Sequence, residues 1–288
     1  MSTALAALSA LCFGAALISG RIGLRELDAR AGAAISIPAA TLLFVASAPL
    51  ALDLRGLDAR AVTWFAAVGV FFPALVTLLT FRANELLGPT VTSALSGTAP
   101  LFALLAAAAL LGERVPAGAT LSALGVAVGV ALLSWRRGAA PTGATRAALL
   151  WPLAGAALRG LAQVAAKAGL ALWASPFAAA LIGYLVSSAA VIGADCLRPA
   201  PRQRSTRAGV AWFACTGVLN GCAVLLMYAA LSMAPVWQVA PVIAGYPLVT
   251  AVLGAAVLRE ERLSWPLVVG VGLTVAAIVV LVATPGGR

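Results

Sequence analysis

Residues 100–113 read PLFALLAAAALLGE, and residues 247–260 read PLVTAVLGAAVLRE. Each stretch is apolar, opens on Pro-Leu and closes on a glutamate, and the two lie 147 residues apart. The same offset lays Ala83 on Ala230, Ala108-Ala109 on Ala255-Ala256, Leu111 on Leu258, and Gly125 and Gly129 on Gly272 and Ala276. A one-residue slip aligns Glu113-Arg114-Val115 with Glu261-Arg262-Leu263 just as well. Near the two starts, an offset of 146 pairs Gly14, Arg21 and Gly23 with Gly160, Lys167 and Gly169. Matching order and spacing point to an internal duplication.

Composition says what is duplicated. Of 288 residues, 62% are hydrophobic and 10% charged, and the mean hydropathy is +1.05. A soluble domain is about half apolar and about a quarter charged, so this chain needs lipid to cover it. At about 25–30 residues per span and loop, it has room for roughly ten transmembrane helices. Apolar runs near 3–23, 32–52, 61–81, 87–111, 116–135, 147–170, 174–194, 208–230, 235–258 and 264–283 fit that number, separated by Gly, Pro, Arg and Asp. The polar spacer RRGAAPTGATR at 136–146 divides them five and five. The expected organisation is a first repeat over 1–135, a linker over 136–146 and a second repeat over 147–288. An odd number of spans per repeat makes each half enter the membrane from the opposite side. The predicted fold is therefore an all-α integral membrane protein of ten transmembrane helices built as two inverted five-helix repeats.

Several function classes fall away. The formal charge of +10 sits on Arg residues between apolar runs, a topology signal rather than a nucleic-acid surface. The chain has no His, which removes imidazole ligands and His-dependent catalysis. Cys12, Cys215 and Cys222 lie in apolar runs and Cys196 at a loop edge, with no CxxC pair to suggest a disulfide framework or a zinc site. No P-loop motif occurs, and the nine acidic residues all lie in or near loops. No metal or cofactor is expected. The start lacks a basic segment before its apolar run and reads as a first span rather than a cleaved signal.

The sharpest polar feature is in the sixth span, where Arg159, Gln163 and Lys167 follow at i, i+4 and i+8 along one helical face. An Arg near mid-bilayer must face a cavity or a partner. It either anchors an anionic substrate group or ties helices together through backbone carbonyls or Glu85. Lys167 and Arg21 lie close enough to helix ends to snorkel or to meet a helix C-terminal dipole, and as repeat mates at opposite mouths they are also candidate gates. The ninth span, from Ala234 to Pro247, carries three prolines and Gly245, and the fourth repeats the theme with Pro89, Ser93, Ser96, Gly97, Thr98 and Pro100. Kinked spans at matching places point to the pathway, with Trp237, Gln238, Tyr246, Ser93 and Ser96 as candidate substrate contacts. Gly125-xxx-Gly129 reads as close packing within the chain or a weak dimer seam. Glu113, Glu260 and Glu261 precede the fifth and tenth spans, where a carboxylate suits the helix N-terminus and would pair with Arg114 or Arg262.

Two five-helix halves, a glutamate after the fourth span of each and a basic residue late in each first span resemble the drug/metabolite transporter superfamily. Within it, the chain resembles the EamA-type ten-helix permeases, which include bacterial exporters of amino acids. That resemblance implies efflux or exchange of small metabolites by alternating access, without ATP, in a bacterial-type inner membrane. Together with a buried cation and aromatic walls, it implies a secondary exporter of aromatic or bulky neutral amino acids. A multidrug exporter, a passive channel and an intramembrane enzyme are the alternatives. The first is disfavoured by the missing midplane carboxylate and the last by the lack of any acid/base pair. The expected partners are a small-molecule substrate and the bilayer, with no nucleic acid; a monomer is expected, and a dimer stays open. Alternate loops carry thirteen and five Lys and Arg, which places both termini outside the cytoplasm, whereas the family implies termini inside.

Overall fold

The computed structural model describes residues 1–134, 146–197 and 206–258, with isolated residues between 265 and 280. Most of the linker 136–146, the Arg198–Arg204 loop, Glu260, Glu261 and Arg262, and most of the expected tenth span lie outside the described residues. Everything described is helix, turn or coil, without a strand.

The helices are α1 (Ser2–Gly23), α2 (Ala29–Ala51), α3 (Ala59–Phe71), α4 (Ala74–Ser96), α5 (Ala99–Ala106), α6 (Ala117–Ser134), α7 (Leu150–Leu172), α8 (Pro176–Leu197), α9 (Arg207–Met233), α10 (Val236–Ile243) and α11 (Tyr246–Leu253). Seven helical segments among the described residues are long and apolar enough to cross a membrane, and Ala99–Leu111 and Ala117–Gly129 are shorter apolar helices. Large apolar side chains such as Leu42, Val70 and Leu105 are more than half exposed, a surface that only lipid accommodates. Asp28, Asp58 and Thr206 supply the N-caps of α2, α3 and α9, accepting hydrogen bonds from Ala31, Ala61 and Gly209 N–H groups. Loop acidic residues thus serve helix starts.

The third span departs from its expected limits of 61–81. It runs over Ala59–Pro89 and is interrupted at Phe72-Pro73, a cis peptide, because proline removes a backbone donor there. It ends at Gly88, whose φ of 79° and ψ of 170° turn the chain directly into the fourth span. Only glycine adopts that conformation without strain.

The fourth and ninth spans are broken, and they break alike. An offset of 147 carries α5 onto α11 and the wide π-turn Ala107–Leu111 onto Gly254–Leu258. It also carries the turn bond for bond. Thr98 N donates to Leu95 O at 3.2 Å where Gly245 N donates to Val242 O at 3.1 Å, and Leu101 N to Thr98 O where Leu248 N bonds Gly245 O, both at 3.0 Å. Pro100 and Pro247 occupy the first turn of the segments that follow, where their missing N–H is tolerated.

The two halves interdigitate. Helix α1 packs against α9 and α11, and α7 packs against α3, α4 and α5. Ser9 donates to Ala223 O at 2.7 Å and Ser19 to Trp212 O at 3.0 Å, so the α1–α9 seam is joined by hydroxyls as well as packing. The repeat-mate glycines Gly14 and Gly160 both sit at close approaches between the halves. A Cβ on Gly14 would fall 2.5 Å from Val249 Cβ, and one on Gly160 would fall 2.7 Å from Ala103 N and 2.9 Å from Phe102 Cβ. Phe102 and Val249 are themselves 147 apart. Gly125 meets Ala277 within the chain, at 2.9 Å for an added Cβ.

Gly160→Ala is therefore expected to lower stability by about 1–3 kcal/mol, since the backbone of α5 cannot give way as a side chain would. Gly193, which has nothing within 4 Å of an added Cβ, serves as the control. Thermal unfolding in detergent measures both; equal melting temperatures for the two alanine variants would refute the close-approach reading.

Candidate functional site

Arg159 lies in the middle of α7, 8% exposed, at a cavity walled by elements from both halves. The cavity lining includes Phe13 of α1, Phe72 at the α3–α4 break, Tyr184 of α8, Asn220 of α9 and Tyr246 of α11. Its free volume is about 30 Å³, room for about one water molecule. The guanidinium carbon is 4.9 Å from the centre of the Phe13 ring and 5.8 Å from that of Tyr246. Those two rings lie 6.2 Å apart and tilted by 54°. A charge at mid-bilayer costs about 2.5–3.5 kcal/mol on insertion scales, and a desolvated cation–π contact offsets up to about 2 kcal/mol of it.

The tie to Glu85 is not made. Glu85 accepts from Arg82 Nη1 at 2.6 Å on a partly exposed face of α4. Arg159 Nε is buried with no hydrogen-bond partner, as is the hydroxyl of Tyr184. Both residues line the cavity, and the described residues that line it include no carboxylate. A site so equipped suits an anion.

Of the residues singled out from sequence, Arg159 and Tyr246 line this cavity. Gln163 is 2% exposed on the same face of α7, with its Oε1 unpartnered. Ser93 and Ser96 are buried on α4, Ser96 beside Tyr246, and Trp237 is buried on α10 with Gln238 partly buried next to it. None of these five is part of the cavity lining in this arrangement. The sequence reading missed Phe13, Phe72, Tyr184 and Asn220. One signal was available: the offset of 146 that pairs Gly14 with Gly160 also pairs Phe13 with Arg159.

The predicted gate residues are at helix breaks. Arg21 Nη1 donates to Asn84 O at 3.2 Å, just before the Gly88 turn. Lys167 Nζ donates to Leu231 O at 2.6 Å and Ala234 O at 3.0 Å, at the C-terminus of α9. Asn84 and Leu231 are 147 apart, so the mates do the same work in each half: a cation satisfies carbonyls that the end of a helix leaves open. Glu113 was expected at the N-terminus of the fifth span, beside Arg114. Its two carboxylate oxygens instead accept from Val236 N at 3.2 and 3.1 Å, the first N–H of α10. The free N–H groups of that helix start attract the carboxylate more strongly than an exposed arginine does. In the first half, position 89 is a proline, which has no N–H to offer.

Glu113→Ala should cost about 1–2 kcal/mol, as the loss of a charged N-cap does, with Glu113→Gln between it and the parent. Detergent melting curves read this out, and an Ala variant as stable as the parent would rule the cap out.

Comparison with known proteins agrees with this architecture. The profile of the EamA-like transporter family matches twice, over residues 1–135 and 146–283. A solved crystal structure of a protein superposes with a TM-score of 0.77 over 97% of this chain and 95% of its own, at 16% identity, a likeness of fold. No curated protein matches the chain in sequence. With the family profile spanning nearly its whole length, the chain belongs to the EamA-like transporter family and is a multi-pass membrane transporter of small molecules.

Proposed function

We propose that this transporter exports small carboxylate-bearing metabolites, amino acids with aromatic or bulky neutral side chains among them, by alternating access. The observation that carries the reading is Arg159, a buried guanidinium at a cavity between the halves with no anionic partner among the described residues. Arginine presents a planar fork that grips a carboxylate bidentately. Tyr184 adds a second donor, and the rings of Phe13, Phe72 and Tyr246 supply apolar walls for a neutral side chain. A cationic drug finds no counter-charge here, which separates this site from a multidrug exporter's.

The cavity's free volume is far too small for an amino acid, so loading requires the surrounding elements to part. In our reading the moving parts are two inverted five-helix halves, 1–135 and 147–288, ten spans in all, in a bacterial-type inner membrane. The capped breaks at Arg21 and Lys167 are the gates at the two mouths. Gln163, Ser93, Ser96, Trp237 and Gln238, buried on α7, α4 and α10, join the lining as the broken spans separate. The transporter works as a monomer, since Gly125 is already used within the chain.

Two variants test the anchor. Arg159→Lys keeps the charge and loses the fork; Arg159→Gln loses the charge. In proteoliposomes, export of phenylalanine is expected to fall about tenfold or more in the Gln variant and less in the Lys variant, as loss of a charge-assisted hydrogen bond implies. Phenylalaninamide and the methyl ester should be hardly affected. Equal losses for all three compounds, with lower stability in detergent, would leave Arg159 a structural tie.

Sidedness has its own test. The thirteen-to-five bias of loop charges puts both termini outside the cytoplasm. Ser2→Cys in a cysteine-free background should react with a membrane-impermeant maleimide in intact spheroplasts, and labelling only after lysis would reverse the orientation.

A further inference from the structure

We infer that the ring of Phe13, with that of Tyr246, is the counter-ligand that holds the Arg159 charge whenever the cavity is closed without an anion, and that this lets the carrier return unloaded and perform net export. The inference rests on the proposed role of Arg159 as a carboxylate anchor.

The geometry carries it. In this arrangement about 30 Å³ is free beside Arg159, too little for any carboxylate metabolite. The described cavity lining includes no acidic side chain, and Glu85, which lies on α4, is paired with Arg82. The charge nevertheless has two rings for company: Phe13 at 4.9 Å and Tyr246 at 5.8 Å from the guanidinium carbon. Aromatic faces are negative and stabilise a desolvated cation without any proton or bond being exchanged. Phe13 comes from α1, and Tyr246 and Arg159 from α11 and α7, so the contact spans the two sequence halves.

Phe13 is also the repeat mate of Arg159 at the offset of 146, next to the mates Gly14 and Gly160, which pack each first helix against the other half. The two positions that would be one in the duplicated ancestor therefore face each other across the cavity. One keeps a ring and the other a cation.

A transport cycle has two crossings. In exchange, both are made loaded, and the substrate's carboxylate neutralises Arg159 each time. In net export, the return is made empty, and only the protein can stabilise the charge. Substrate and rings also compete for the same guanidinium, so the rings must weaken binding. A ligand's apparent affinity rises when the form that excludes it is destabilised. Removing the Phe13 ring should thus have two effects that mere packing damage would not produce together. Net export drops relative to exchange, and substrate binds more tightly.

The experiment uses the full chain in proteoliposomes loaded with radiolabelled phenylalanine. Efflux is followed into buffer without amino acid and into buffer with saturating phenylalanine, and binding is titrated in detergent. For Phe13→Leu, the ratio of net efflux to exchange is expected to fall about fivefold, with a Kd lowered several-fold, the scale of one desolvated cation–π contact. Phe13→Trp, which restores a ring, should recover most of the ratio. Equal losses of both modes in Phe13→Leu, an unaltered ratio, a weakened Kd, or a parent protein that exchanges without net efflux would each overturn the proposal. The underlying reading fails separately: Arg159→Gln retaining both modes, or a parent that moves no phenylalanine at all, would remove the anchor on which the inference rests.

Discussion

Lipid cannot hydrogen-bond a peptide carbonyl, so a helix that stops or bends near it must find its partners in the protein. That constraint shapes this structure more than any other. The fourth and ninth spans are broken by prolines and glycines, and the spans before them end without a loop. Each irregularity needs closing. Arg21 and Lys167 close the carbonyl ends, Glu113 closes the N–H end of α10, and Thr98 Oγ1 donates to Leu95 O at 2.7 Å at the midpoint of the fourth span. Without these contacts the breaks would be defects, and with them they are fixed positions about which helices can reorient.

The first helix of each half concentrates three of these duties at one spacing. In α7 they fall on Arg159, Gly160 and Lys167; in α1 on Phe13, Gly14 and Arg21. The glycine lets the helix approach the broken span of the other half, and the basic residue caps the third span of its own half. The residue just before the glycine is thereby aimed at the interface. Position, once set by packing and capping, leaves that residue free to carry chemistry. This is how a duplicated scaffold comes to have an asymmetric site: the backbone contacts repeat, while the one pair of side chains that meets across the cavity differs.

How much of this was legible beforehand follows from what repeats. Helical class and the kinked fourth and ninth spans rest on hydropathy and proline placement, which are local properties of the chain. The break at Pro73 was not legible, because its mate position is Asn220 inside the unbroken α9, and a lone proline near an expected span centre carries no sign of whether the helix restarts. Arg159 stood out because a charge in an apolar run is rare. Tyr184 and Phe13 did not, since a ring in an apolar run looks like ordinary core until its neighbours are known. Glu113 was assigned to a helix end correctly in kind but to the wrong helix, because sequence proximity favours the next helix and the fold brings α10 instead.

The pairing of a ring with a cation, rather than an acid with a cation, has consequences for energetics. A buried carboxylate beside Arg159 would form a strong pair that a substrate carboxylate could displace only by leaving another charge unpaired, at a cost of about 3–5 kcal/mol. An unaccompanied arginine would face the opposite difficulty, binding anions so favourably that release would be slow. Aromatic faces lie between these limits, with contacts of about 0.5–2 kcal/mol. On the proposed reading, they hold the guanidinium loosely enough for an incoming carboxylate to take it and firmly enough to accept it back. The intermediate strength of the interaction, rather than its presence, is what suits the site to a protein that must bind and let go in every cycle.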